Sequence, residues 1–203
     1  MKHFVLTLSA MFSLAFVHAQ LNLSVGPNAG FGHAWTSGSG DNRYHPAGNF
    51  GVAVVYSHNN HVGLGLDLKY SIEGGKKEFA NVDVTTRLNY LRIPIKGIYF
   101  FRDYGASFRP KISLGPSFGF LVGGKKEVGS VETDAKDLYN SFDFGLLGSA
   151  GFHYNLVTNT WLHFDVSYYH GLSDVSETAE TNKNRNIGVN VGVAFGIPHG
   201  GAK

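Results

Sequence analysis

Apolar and polar residues alternate along most of the chain, and this period of two predicts strands. In "LNLSVGPNAGFGHAW", Leu21, Leu23, Val25, Ala29, Phe31 and Trp35 are apolar, with Asn22, Ser24, Gly26, Asn28, Gly30 and Gly32 between them. A second strand, "GNFGVAVVYSH", sets Phe50, Val52, Val54 and Tyr56 on one face. After the turn pair Asn59-Asn60, "HVGLGLDLKYSIE" places Val62, Leu64, Leu66, Leu68, Tyr70 and Ile72 against Gly63, Gly65, Asp67, Lys69, Ser71 and Glu73. A fourth strand is expected over 86–101 and a fifth over 108–122, the latter with Ile112, Leu114, Phe118 and Phe120 opposed to Lys111, Ser113, Gly115, Ser117 and Gly119. The sixth sets Phe142, Phe144, Leu146, Phe152 and Tyr154 against Asp143, Gly145, Ser149, Gly151 and His153. The seventh sets Leu162, Phe164, Val166 and Tyr168 against His163, Asp165 and Ser167. The last sets Ile187, Val189, Val191, Val193, Phe195 and Ile197 against Asn190, Gly192 and Gly196. Eight strands result, and no helical segment follows the first 19 residues.

The connections alternate too. Those near 59–60, 102–107 and 155–160 are short, and those near 36–48, 74–85, 123–140 and 173–185 are long and polar. An even strand count with short turns at one end and long loops at the other describes an eight-stranded, antiparallel, up-and-down transmembrane β-barrel of the outer-membrane type. A soluble ligand-binding barrel would carry its apolar face inward. Here the opposite face is largely glycine, serine and asparagine, which cannot make a dry core. The apolar face is aliphatic in mid-strand, with Trp35, Tyr56, Tyr70, Tyr154 and Tyr168 toward the strand ends. That is a lipid-facing band with aromatic girdles. The amino terminus is therefore expected on the periplasmic side and the long loops outside the cell.

Composition supports export. Lys2 and His3, the apolar run Phe4 to Val17 and the Val17-His18-Ala19 site read as a signal peptide over 1–19, leaving a barrel domain over 20–203. The apolar run is shorter than the ~20 residues of a spanning helix. With 27 glycines in 203 residues, the chain has roughly twice the ordinary share. The absence of cysteine excludes a disulfide scaffold, a thiol enzyme and a lipoprotein anchor. A net charge of +2 gives no reason to expect nucleic acid as a partner.

The fourth strand breaks the alternation. In "RLNYLRIPIKGIYF", Leu88 and Tyr90 read outward, but Ile93, Ile95 and Tyr99 have the other parity. A β-bulge near Tyr90-Leu91 would restore the pattern and turn Arg92 and Lys96 into the lumen. Without it Arg92 would face lipid, at a cost of ~2–4 kcal/mol near the midplane. Pro94, which lacks a ladder donor, fits an irregular position. The segments "LNYLRIPIK", "YYHGLSDV" and the closing "VAFGI" resemble the PorT-like outer-membrane β-barrel family of Bacteroidota. The resemblance covers the chain after the leader, although that family usually has an acidic residue at the place of Arg92 and often a non-histidine at that of His170. It implies a barrel and a link to protein secretion.

Three sets of residues bear on chemistry. His170, Ser173 and Asp174 suggest a hydrolytic triad, but in a strand Ser173 falls on the opposite face from His170 and Asp174 lies ~13 Å further on. A nucleophile and its base need contact at ~3 Å. If the turn pairs Tyr154 with Leu162, His170 is opposite Leu146, and His153 and His163 become inward neighbours. His58, His61, His153 and His163 gather near the short-turn end, where an imidazole pair could hold a metal, but hydrogen-bonded histidines without metal or cofactor are the expectation. The lumen charges are Asp67, Lys69, Glu73, Arg87, Arg92, Lys96, Lys111, Asp143 and Asp165. An eight-stranded interior is only wide enough for side chains to fill. Charges there must pair, which predicts a plug of Arg92, Lys96 and Lys111 with Asp67, Asp165 and Asp143. The expected role is non-enzymatic: structural, surface-binding or within an envelope or secretion complex. A narrow channel and a lipid-modifying enzyme are the alternatives. Outer-membrane lipid and lipopolysaccharide are the expected partners, with "GGKKEF" and "GGKKEV" as loop segments that could meet acidic polysaccharide or lipopolysaccharide phosphates.

Overall fold

The structure is a computed structural model that describes residues 22–38, 41–79, 82–129, 131–177 and 181–197. The expected leader, with its cleavage point after Ala19, lies outside the described residues. Among the described residues ten strands occur in chain order: β1 (Asn22–Thr36), β2 (Asp41–Arg43), β3 (Pro46–Ser57), β4 (Val62–Phe79), β5 (Val82–Phe100), β6 (Phe108–Val128), β7 (Val131–Asp134), β8 (Phe142–Val157), β9 (Thr160–Gly171) and β10 (Asn184–Gly196). Eight of them close a ring in which β1, β3, β4, β5, β6, β8, β9 and β10 each pair antiparallel with the next, and β10 returns to β1. Closure leaves no unpaired backbone edge in hydrocarbon. The fold is the eight-stranded antiparallel barrel that the alternation predicts.

The parity of the strands assigns the faces. Phe31, Leu64, Leu114 and Phe195 are 51–72% exposed on the outside, while Asp67, Ser117 and Asp143 on the other face are at most 1% exposed. Apolar residues that a soluble protein would bury thus form a continuous outer band. The short β8–β9 turn closes on Asn159, whose φ of 60° is left-handed, and it pairs Tyr154 with Leu162 and His153 with His163.

Two expectations need correction. Positions 74–85 and much of 123–140 are strand rather than loop: β4 and β5 run on to Phe79 and from Val82, and β6 continues to Val128. With the small strands β2 on β4 and β7 on β6, they raise a sheet above the apolar band. Outside lipid no face must be apolar, so polar residues there conceal strand from the alternation test. The second correction concerns the phase of β5. Leu88 and Tyr90 point inward, both fully buried, and even positions stay inward through Phe100. The register shift beside Asn89 and Tyr90 is in β6, where Val122 is the extra residue between Leu121 and Gly123. Leu88, Tyr90 and Leu121 pack with Tyr139 from the loop as an apolar cap on the lumen. A second apolar cluster, Val55, Ile98 and Phe100, fills the other end.

Candidate functional site: the ion-paired lumen

Between the two apolar clusters the lumen holds two layers of charge. In the upper layer Arg92 donates through Nε and Nη2 to the Glu73 carboxylate, the Nη2 contact being 2.6 Å. Its Nη2 also reaches Asp143 Oδ2 at 2.5 Å. Ser71 Oγ donates to Glu73 at 2.7 Å, and Ser173 Oγ and Asn184 Nδ2 donate to Asp143 at 2.9 Å each. The guanidinium carbon lies 4.0 Å from the Tyr169 ring centre, a cation–π contact. In the lower layer Lys96 donates to Asp67 at 2.7 Å and Lys111 to Asp165 at 2.5 Å. Lys69 shares Asp67 at 3.6 Å, and Ser149 Oγ donates to Asp165 at 3.2 Å.

Glycine explains how two of these pairs form. Register places Arg92, Gly119 and Asp143 in one row across β5, β6 and β8, and Lys111, Gly151 and Asp165 in one row across β6, β8 and β9. In each row the opposite charges are two strands apart and the residue between them has no side chain. A Cβ at Gly119 would stand 2.9 Å from Arg92 Nη1, and one at Gly151 would stand 2.8 Å from Asp165 Oδ1 and 1.9 Å from the Phe164 carbonyl oxygen. The gaps in the row are where the long side chains cross.

The structure brings the six expected plug residues, Asp67, Arg92, Lys96, Lys111, Asp143 and Asp165, and the expected lumen charge Lys69 into the lumen, each at most partly exposed. Arg87 is not among them. It has the outward parity of β5, is half exposed and faces Glu127 at 4.0 Å on the raised sheet. Two participants were not foreseen as part of the plug. Glu73 is the main partner of Arg92, and Arg109, which shares the parity of Lys111, closes the short-turn end. Arg109 is 2% exposed, lies 3.8 Å over the Phe100 ring and donates to the Asn60 carbonyl at 2.8 Å. Its parity was readable in the sequence.

The space left is small. Two cavities of about 20 and 30 Å³ share Lys69, Leu147, Ser167 and Asn190, each with room for about one or two waters. Above them Asn140 Nδ2 bonds the carbonyls of Asp174 and Ser176, and Tyr139 bridges Ser176, so loop backbone covers the mouth. His153 and His163 have ring centres 5.8 Å apart, with both Nε2 atoms buried. No group of three or more potential metal ligands occurs among the described residues. His170 lies on the outer face opposite Leu146. Ser173 Oγ is engaged with Asp143 and Phe144, and Asp174 Oδ1 accepts backbone N–H groups of Ser176 and Asn182. The three do not meet.

An apolar outer band around a closed, polar, strand-built interior defines an integral outer-membrane barrel. The model of the family described as outer membrane protein beta-barrel domain matches residues 18–177, so the chain belongs to that family and is an outer-membrane protein. Among curated proteins none matches it in sequence. Solved structures with a similar fold include Neisserial surface protein A, with 16% identity, 87% of this chain and 97% of that chain covered and a TM-score of 0.58. The outer membrane protein OprG from Pseudomonas aeruginosa has 12% identity, 87% and 96% coverage and a TM-score of 0.56. Outer Membrane Protein W of E. coli has 10% identity, 89% and 100% coverage and a TM-score of 0.52.

Proposed function

We propose that the protein is a closed, non-enzymatic barrel that acts at the cell surface, as a structural and surface-binding element of the outer membrane. The observation that carries this reading is the filled lumen: every charge of the two layers has an opposite charge within 4.0 Å, and the space between them admits only water-sized molecules. Against a channel, an ion entering would have to displace paired groups that are buried together. Against hydrolysis, the serine of the loop entrance is committed to Asp143 and has no histidine beside it. The test is planar-bilayer recording of the refolded full-length mature protein. Absence of steady single-channel current is expected, and steady open current would instead support the narrow channel.

A second reading, membership of an envelope or secretion complex as the PorT-like resemblance implies, is favoured by the sheet that β2, β4, β5, β6 and β7 raise above the band. All four residues of β7 are exposed. Co-purification from intact outer membranes, lost on shortening the 123–140 segment, would support it; co-purification unchanged by that deletion would not.

A further inference from the structure

Cations on the extracellular side differ in their partners. Arg43, Lys76, Arg87 and Lys125 on the raised sheet each face a carboxylate: Glu78, Asp83, Glu127 and Glu132. Lys183 and Arg185, at the start of β10, have no carboxylate partner among the described residues. Arg185 is on the outward face of β10, directly opposite Trp35 of β1 and His170 of β9. Its Nη1 donates to the carbonyls of Gly171 at 2.7 Å and Asn184 at 3.0 Å. These bonds hold the guanidinium in place, and among the described residues Nε and Nη2 have no hydrogen-bond partner.

The surroundings are aromatic. Trp35 and Tyr168 have ring centres 6.2 Å apart, and His170 is 6.1 Å from Tyr168. His33 stacks on Trp35 at 5.0 Å and on Tyr44 at 5.2 Å, with planes within 18°. Immediately toward the membrane, Phe31 and Ile187 belong to the exposed apolar band. Just before β10, the Lys183 carbonyl accepts from the Ser37 N–H and the Lys183 N–H donates to Ser37 Oγ, at 2.9 Å each. A guanidinium held by two carbonyls, with no carboxylate partner among the described residues, therefore stands in the outer aromatic girdle, at the level of lipid headgroups.

We propose that Arg185, supported by Lys183, binds the phosphate of an outer-leaflet glycolipid of the lipid A type, with the Trp35–His33–Tyr44 surface carrying its sugar. The free guanidinium nitrogens form a fork that matches phosphate oxygens. Charge complementarity favours a phosphate here over Arg43, Lys76, Arg87 and Lys125, each of which already faces a carboxylate. The stacked rings give a flat apolar face on which a sugar ring can lie, and an acyclic headgroup has no surface to match it. The acyl chains would then follow the apolar band of β1 and β10.

The test uses the folded mature protein in detergent micelles. A Trp161→Phe background leaves Trp35 as the reporter, since the chain has two tryptophans. Titration with lipid A is expected to change Trp35 emission saturably. Arg185→Gln is expected to weaken binding roughly tenfold or more, the loss of a charge-assisted phosphate contact, with Arg185→Lys in between. Lys183→Gln should weaken it less, and Lys76→Gln on the raised sheet should leave it unchanged. Heat-modifiable gel mobility establishes that each variant is folded, and Lys183→Gln with Arg185→Lys carry the test if Arg185→Gln does not fold. Equal lipid A binding by Arg185→Gln, or by Lys183→Gln and Arg185→Lys where that variant does not fold, would overturn the proposal. So would undiminished binding of dephosphorylated lipid A, or phosphatidylglycerol binding as tightly as lipid A.

Discussion

The lumen and the raised sheet both hold cross-strand pairs of lysine or arginine with aspartate or glutamate, yet the two sets differ in what they do. In the lumen, Lys111 and Asp165 have side chains 5% and 13% exposed. On the sheet, Lys125 and Glu132 are 59% and 45% exposed at a similar separation of 2.6 Å. Distance alone does not distinguish them. Water does: an exposed pair is screened and its long side chains lose freedom, so it contributes ~0–1 kcal/mol. A buried pair cannot lose one member without leaving a desolvated charge, at ~3–5 kcal/mol. The lumen pairs are therefore the ones whose disruption is expected to cost the barrel stability, and the sheet pairs are expected to contribute little.

The largest effect separating the regions is expected at Arg92. Arg92→Met strands both Glu73 and Asp143 and should lower unfolding stability by about 3–5 kcal/mol, measured by urea titration in vesicles. A cost below that of Lys125→Ala would break the distinction. Next comes the glycine that lets a pair cross. Gly151→Ala drives a methyl against the Phe164 carbonyl and Asp165 and should cost about 1–3 kcal/mol by overpacking. Gly119→Ala meets mainly the movable end of Arg92 and should cost less in the same titration. On the raised sheet, Lys125→Ala should change stability by no more than ~1 kcal/mol, and 1 M salt should erase the difference from wild type. The smallest effect concerns pH. Hydrogen bonding from Lys76 holds the Asp83 carboxyl below the usual aspartate range, and Lys125 does the same for Glu132. Groups with depressed folded values contribute their stability above the unfolded value of ~4 and lose it as pH falls through the folded one. A slight decline confined to pH below ~4 is expected, and it should vanish in Lys76→Gln/Lys125→Gln.

Parity made much of this legible in advance. The inward placement of Asp67, Lys111, Asp143 and Asp165 follows from counting by twos between apolar neighbours. The same count misread Leu88 and Tyr90, because it assumed that large apolar residues must face lipid. Both cap the lumen beneath Tyr139, a loop contact that no strand pattern announces. The identity of partners was equally hidden. Arg92 meets Glu73 and Asp143 because of its length, the register of three strands and the gap at Gly119, and only the first of these is written in the residue itself. The raised sheet escaped notice for a different reason, since strands in water need not alternate.

The most direct measurement is a pair of double-mutant cycles on unfolding free energy, one for Lys111 and Asp165 and one for Lys125 and Glu132, using Met and Leu inside and Ala outside. A large coupling for the lumen pair, with the double replacement recovering much of the stability that either single change removes, and a coupling near zero for the exposed pair are expected. Equal couplings, or single lumen replacements as mild as the exposed ones, would contradict the view that the lumen pairs are the ones whose disruption costs this barrel stability.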